Sequence, residues 1–188
     1  MTTAAIAVDR HHLEGIARPV DAQGMFPGYY CPPYGGCKAD GAWSAADDLV
    51  VSVPDLARFL GALHTGSGYD RALARERDRV QTDRGKDRLV DCAAYPGTPC
   101  PVSQGYGLGV EVAHFADGST LGHGGSDWSE DTLAYLYQPS GDGLVILLNA
   151  PHPRGVQAMA DLIAILDPDS PYLPRYRTWQ AASRDGDA

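Results

Sequence analysis

Hydrophobic residues follow a helical spacing in the first half of the chain, and form short apolar runs after residue 106. The clearest helical segment is SVPDLARFLGALHTG, in which Ser52 is suited to cap a helix and Gly66 to end it. Its apolar residues fall on one helix face: Leu56, Phe59, Leu60 and Leu63. We therefore predict a helix between Ser52 and Gly66, a more polar helix over 70–80, and a loop over 81–105.

Strands are predicted from residue 106 onwards, because short apolar runs alternate with turn sequences. The runs are YGLGVEVAHF, TLGHGG, TLAYLYQP and GLVILLNA, separated in part by the turns DGS and PSGDG. Connections this short join only antiparallel neighbours. A last amphipathic helix is predicted over 155–166.

The predicted fold class is α+β, an antiparallel β-meander of three or four strands flanked by helices. Residues 1–40 are rich in Pro, Gly and Tyr and are predicted to be irregular, residues 41–168 to form the folded domain, and residues 169–188 to be a Pro-rich, frayed tail. A meander this small would have an exposed edge and an uncovered face, which indicates part of a larger sheet.

Charge and hydropathy exclude two classes of partner. The formal net charge of −9 argues against nucleic acid. No apolar run approaches the roughly 20 residues that a membrane span requires, so none is predicted. No signal peptide is predicted at the start of the chain.

The cysteines occur as two local pairs, Cys31 with Cys37 and Cys92 with Cys100, each enclosing turn-forming Pro and Gly. A disulfide within each pair is the favoured interpretation, although four cysteines allow three connectivities. Free thiols and a metal site are the alternatives; neither pair is a C-x-x-C, and no cofactor is predicted. Disulfides predict an extracellular or periplasmic parent protein, with its natural N-terminus upstream of this chain.

Candidate chemistry lies in LGHGGSDW, on His123, Gly124, Gly125 and Ser126. Glycines let another molecule approach the main chain closely, as a site that binds a substrate oxygen with N–H groups requires. Ser126 lacks the G-x-S-x-G context of a nucleophile, but a hydrolase using Ser126 with His123 or His114 is one hypothesis. The plainer alternative is a strand-to-loop turn in which the glycines serve only geometry.

Four segments, DDLVVSVPDLARFLGALHTG, YGLGVEV, LGHGGSDW and GLVILLNAP, resemble in order and spacing the C-terminal half of the serine β-lactamase-like family. That family includes class C β-lactamases, D-alanyl-D-alanine carboxypeptidases and related esterases. The resemblance covers about residues 42–166. It implies that residues 41–168 are a partial β-lactamase-like domain, similar to the C-terminal part of the β-lactamase/transpeptidase-like fold.

The resemblance also implies roles for the candidate residues. The family uses a Ser-x-x-Lys nucleophile motif, a Tyr-x-Asn or Tyr-x-Ser motif, and a Lys/His-Thr/Ser-Gly strand beside the substrate. Only the third can be placed here, on His123, Gly124 and Gly125, with the Ser126 N–H as half of an oxyanion hole. Gly124 replaces the usual hydroxyl residue, which puts one substrate hydrogen bond in doubt.

The other two motifs are absent from the chain. Its only lysines are Lys38 and Lys86, preceded three residues earlier by Gly35 and Asp83, and its only asparagine is Asn149. No tyrosine has Ser or Asn two residues later. The sequence thus predicts the C-terminal portion of a serine hydrolase, inactive alone, that binds a small-molecule or peptide-like substrate once an N-terminal half completes it. The alternative is a non-catalytic binding or partner module derived from that fold.

Overall fold

A computed structural model of the protein describes residues 4–5, 15–29, 49–84, 88–151 and 153–185. Over these residues six antiparallel strands form one sheet in chain order. The strands are β1 (Thr82–Asp83), β2 (Ser103–Tyr106), β3 (Glu111–His114), β4 (Ser119–Ser126), β5 (Glu130–Gln138) and β6 (Gly143–Asn149). The helices are α1 (Val53–Thr65), α2 (Arg71–Asp78), α3 (Arg154–Leu166) and α4 (Leu173–Asp185). The predicted α+β class with an antiparallel meander is confirmed.

Helix α1 forms as its sequence predicts and packs on one face of the sheet. The Ser52 hydroxyl accepts from the Asp55 N–H, and Gly66 ends the helix with a φ of 65°. Leu60 is buried on the inner side of the helix, with Leu56 and Leu63 packed beside it, against sheet residues Val112, Leu121, Ala134 and Leu136. We call this side of the sheet the α1 face.

Helices α3 and α4 cover the opposite side, which we call the α4 face. The buried side chains of this layer are Leu133, Tyr135 and Ile146 from the sheet, Met159, Ala160 and Ile163 from α3, and Tyr172 and Tyr176 near and in α4. Both faces of the sheet therefore carry helices, so the prediction of an uncovered face is wrong.

The predicted strand over 106–115 is divided by a turn. Strand β2 ends at Tyr106, Gly109 has a φ of 73°, and β3 begins at Glu111. The positive φ at Gly109 suits glycine, so the YGLG stretch turns instead of continuing as a strand. The loop predicted over 81–105 contains β1 and β2. These two strands are short and mostly polar, so they carry no hydrophobic alternation that a sequence pattern could detect.

The predicted frayed tail over 169–188 is corrected by helix α4. Its proline, Pro174, is the second residue of the helix, where the missing N–H costs nothing. Tyr172 and Tyr176 are buried, and the Tyr172 hydroxyl lies 2.7 Å from the Thr120 hydroxyl on β4. Packing against the sheet thus orders a segment whose composition suggested disorder.

One of the two cysteine pairs lies in the described residues. Cys92 and Cys100 form a disulfide with a Cα–Cα distance of 5.2 Å, which confirms the local pairing predicted for them. Cys31 and Cys37 lie outside the described residues, as does most of the segment 1–40.

Two tyrosines of β5, the buried Tyr135 and the partly buried Tyr137, join the sheet to the end of α3. The Asp167 carboxylate accepts a 2.6 Å hydrogen bond from each of the Tyr135 and Tyr137 hydroxyls. Burial raises the pKa of both tyrosines, and likewise that of Tyr172 and Tyr176, because a phenolate loses its hydration in this layer.

These tyrosines predict a loss of stability at alkaline pH. When the folded-state pKa of a phenol lies above its unfolded value of about 10, the stability that the phenol contributes is fully present below about pH 10. That contribution is lost as the pH rises further. We expect the free energy of unfolding, measured by urea titration, to fall above about pH 10 at up to ~1.4 kcal/mol per pH unit for each tyrosine. Tyr135→Phe should make this slope shallower. Tyr95→Phe, in the partly exposed loop closed by the disulfide, is the control; an equal effect of both would contradict the prediction.

Candidate functional site

The second half of β4 has a strand partner on one side. Strand β3 pairs with β4 from His114 opposite Ser119 to Glu111 opposite Gly122. Among the described strands, β5 alone continues beyond that point, pairing as far as Ser126 opposite Asp131. The segment from 123 to 126 therefore forms an open edge of the sheet.

The antiparallel register fixes where the main-chain groups of this edge point. The Asp127 N–H donates to the Glu130 carbonyl at 2.9 Å, which makes these two residues a hydrogen-bonded pair. Such pairs alternate along an antiparallel ladder, so His123 and Gly125 also direct their N–H and C=O groups towards β5. Gly124 and Ser126 direct theirs the other way, past the end of β3.

His123 is exposed and lies on the α1 face, because side chains alternate along a strand. Its Nδ1 lies 2.6 Å from the Gly124 carbonyl oxygen. A carbonyl only accepts, so Nδ1 carries the proton and Nε2 is the acceptor nitrogen of the neutral ring. The ring of Tyr106, at the end of β2, lies 5.9 Å from the His123 ring.

The four predicted residues are contiguous on β4 but do not all face the same side. The Ser126 hydroxyl lies on the α4 face, opposite to the His123 side chain, and a side chain at position 124 would point to the same face. His114 pairs with Ser119, about 23 Å along β4 from Ser126, and its Nε2 lies 2.8 Å from the Asp78 carbonyl. Neither histidine is therefore placed to activate Ser126, which argues against that serine as a nucleophile.

A cleft of about 520 Å³ opens on the α4 face, between the end of β4 and helix α4. Its wall on the side of β2 and β3 holds an ion pair between Arg84 and Glu111, with the Arg84 guanidinium 4.9 Å above the Tyr106 ring. The wall formed by α4 holds Arg175, whose guanidinium lies 4.2 Å above the ring of Trp179. The cleft thus combines aromatic surface with charged groups.

The close approach of α4 accounts for glycine at position 124. A Cβ at Gly124 would lie 3.1 Å from the Tyr176 hydroxyl oxygen, which is tighter than ordinary packing. The φ of Gly124 is not positive, so the backbone does not demand glycine there. The hydroxyl residue of the family pattern is therefore disfavoured by Tyr176, not by the strand conformation.

The residues of the cleft wall on α4 were missed by the sequence analysis. Tyr172, Tyr176 and Trp179 recur at i, i+4 and i+7, the spacing of one helix face. The prolines before this stretch hide the pattern, because proline often marks the end of regular structure. No local sequence pattern marks Arg84 and Glu111 as part of a site, since only the pairing of the strands brings them together.

Two further properties of the described residues bear on function. They contain no group of three or more His, Cys, Asp or Glu side chains placed to hold a metal ion. None of their helices combines the length and the apolar character that crossing a membrane would require.

Comparisons with protein-family models, with curated proteins and with solved structures find no match to this chain. The likeness to the serine β-lactamase-like family therefore rests on the residues of the four segments alone.

The fit of Tyr176 against Gly124 predicts the result of restoring the hydroxyl residue. Gly124→Thr should lower the free energy of unfolding by about 1–3 kcal/mol, because the new side chain must displace the Tyr176 hydroxyl. In a Tyr176→Phe background the same substitution should cost less than about half as much, which a double-mutant cycle measured by urea denaturation would report. An equal cost in both backgrounds would show that another contact excludes the larger residue.

Proposed function

We propose that this chain supplies the substrate-side strand of a serine β-lactamase-like site that hydrolyses amides or esters through an acyl-enzyme. The observation that carries the proposal is the open edge of β4, where the N–H groups of Gly124 and Ser126 point past the end of β3. A rigid strand that presents outward amides is suited to bind the oxygen on which negative charge develops during acyl transfer.

His123 supplies the second element of the proposed site. Its Nδ1 is engaged by the Gly124 carbonyl, so Nε2 can accept a hydrogen bond or a proton from a group bound at the strand edge. The ring lies on the same side of the sheet as α1, whose DLARFL sequence is one of the four segments of the resemblance. The moderately specific DLARFL helix and the more specific His-Gly-Gly strand thus meet on one face.

The chain has no acyl-enzyme chemistry of its own in this proposal. Half of an oxyanion hole orients a carbonyl but forms no bond to it, and no Ser-x-x-Lys is present. An N-terminal half would bring the nucleophile, and the substrate would be a small molecule or a peptide-like compound. The Cys92–Cys100 disulfide is compatible with an extracellular or periplasmic parent protein.

A non-catalytic binding module is the second candidate, and the cleft on the α4 face favours it. Its volume of about 520 Å³ and its aromatic and charged walls suit a small ligand without any contribution from a nucleophile. The first candidate depends on His123 and the strand-edge amides, whereas the second depends on the side chains of the cleft walls, although Gly124, Gly125 and Ser126 also line the cleft.

The first test concerns turnover. With nitrocefin and 4-nitrophenyl acetate, the chain should give rates equal to those of its His123→Ala variant, because its sequence has no Ser-x-x-Lys to form an acyl-enzyme. Incubation with a fluorophosphonate should leave the intact mass unchanged. Turnover well above the variant, or a label mapped to Ser126, would overturn the claim that the nucleophile is missing.

The second test concerns the strand edge and depends on the direction of one amide. Ser126→Pro removes the outward N–H but no hydrogen bond to β5, so the strand should tolerate it. Ser126→Ala removes the hydroxyl and keeps the N–H, and is the matched control. In NMR titrations with benzylpenicillin, the Gly124 amide should shift saturably in the Ser126→Ala protein, with at least about fivefold weaker binding in Ser126→Pro. Equal affinities of the two variants would refute the proposed amide contact.

A further inference from the structure

We propose that the cleft between the end of β4 and helix α4 holds a neutral aromatic group of the ligand whose carbonyl oxygen binds at the edge of β4. The substrates of the proposed acyl-transfer site, on which this inference rests, are then acyl compounds with an aromatic ring close to the reacting carbonyl. Trp179, on α4, is the residue that determines this specificity.

The cleft adjoins the strand edge directly. Gly124, Gly125 and Ser126 line the cleft, and the N–H groups of Gly124 and Ser126 are the outward amides of the proposed site. Tyr106 lines the cleft as well, and its ring lies 5.9 Å from the ring of His123. A ligand held by the amides can therefore keep its carbonyl at the strand edge and place one substituent in the cleft.

The charged side chains of the cleft already interact within the protein. Arg84 and Glu111 form an ion pair in which both side chains are largely buried. Arg175 and Asp131 each have interactions of their own within the fold. A charged ligand group would have to give up its hydration and compete with these contacts, whereas a neutral group leaves them in place. The charges of the walls thus favour a ligand group without charge.

Trp179 offers aromatic surface that the fold holds in place without covering it. The Arg175 guanidinium lies 4.2 Å from the centre of the Trp179 ring, and the ring of Tyr176 packs edge-on, with its centre 5.1 Å away. Even so, 38% of Trp179 stays exposed, and the residue lines the cleft. A ring that its neighbours already restrain loses little freedom when a ligand packs on it, and it favours stacked or edge-on contacts with a second ring.

The remaining walls fit a ring of phenyl size. Leu133 of β5 and Val156 of α3 supply aliphatic surface to the same cleft, and Gly124 has no side chain to fill it. The volume of about 520 Å³ falls within the range of pockets that enclose small organic molecules, so a phenyl ring and the carbon that links it to a carbonyl fit inside. The ring gains free energy in proportion to the apolar surface that leaves water.

The experiment compares two ligands that differ by one ring, on the intact chain. Benzylpenicillin carries a phenylacetyl group, and 6-acetamidopenicillanate carries an acetyl group in the same place. In NMR titrations followed on the Gly124 amide, benzylpenicillin should bind at least about tenfold more tightly, because its ring leaves water for the cleft. Trp179→Leu should reduce this ratio of affinities by at least about threefold. Trp128→Leu, the same change at a tryptophan that does not line the cleft, is the matched control and should keep the ratio.

A third ligand tests whether the group must be neutral. α-Carboxybenzylpenicillin adds a carboxylate to the carbon beside the ring. It should bind at least about fivefold more weakly than benzylpenicillin, because the added charge loses water beside groups that already have partners. Equal or tighter binding would contradict the choice of a neutral group.

Failure of the aromatic site and failure of the acyl-transfer proposal give different results. Ser126→Pro should weaken the binding of both ligands by the same factor, so that their ratio stays unchanged. A wild-type ratio near one, or an equal effect of the two tryptophan variants on the ratio, would overturn the aromatic site and leave the amide contact intact. Unchanged affinities in Ser126→Pro, with the ratio retained, would refute the amide contact and leave the ring in the cleft. No saturable shift with either ligand up to about 10 mM would overturn both.

A second measurement decides if Trp179→Leu melts early. At saturation of the wild-type chain, nuclear Overhauser effects should connect the phenyl protons of benzylpenicillin to the Val156 methyl groups and to the Trp179 indole. Contacts of the phenyl protons with the His123 ring alone would place the aromatic group outside the cleft and overturn the inference.

Discussion

The register between β4 and β5 is the constraint on which the candidate chemistry depends. Eight residue pairs join the two strands, from Ser119 opposite Gln138 to Ser126 opposite Asp131, without a bulge. Because side chains and main-chain groups both alternate with a period of two, a shift of one residue would move His123 to the α4 face and turn the Ser126 amide inward. Buried Leu133, Tyr135 and Leu136 hold that register, since a slip would expose them.

The same constraint explains why helix α4 and the glycines of β4 belong together. Glycine at 122 and 124 leaves the α4 face of the strand without side chains at these two positions, where the Tyr135 side chain and the Tyr176 hydroxyl pack closely. Tyr172 extends this contact by its hydrogen bond to Thr120. The glycines therefore have a packing role in addition to any role in exposing main-chain amides. This reconciles the two interpretations that the sequence left open for His-Gly-Gly.

The sequence predicted the parts of the fold whose patterns are local. Helix α1 carries its own cap and stop, and strands β4 to β6 have apolar runs between short turns, so few distant contacts are needed to recognise them. Strands β1 and β2 and helix α4 depend on neighbours that lie far away in the sequence. Thr82 and Asp83 form a strand only because β2 lies beside them, with Gly105 leaving room for the main chain of Thr82.

The candidate site divides in the same way. The segment from His123 to Ser126 is found from sequence because glycines beside a histidine are unusual within a strand. The sequence does not show that the main-chain N–H groups of this segment point outward, because that follows from where strand β3 ends. Arg84, Glu111 and Arg175 come from three separate elements, and no local spacing connects them. Tertiary structure is therefore needed to recognise the cleft, although the residue spacing of α4 contained a part of the signal.

The hydrogen bond of His123 also distinguishes this residue from a lysine at the same position. A lysine at this position would bring a positive charge on a long, mobile stem, whereas the His123 ring is tied by Nδ1 to the next carbonyl of its own strand. The remaining ring nitrogen, Nε2, can orient a hydroxyl beside the outward amides or take its proton.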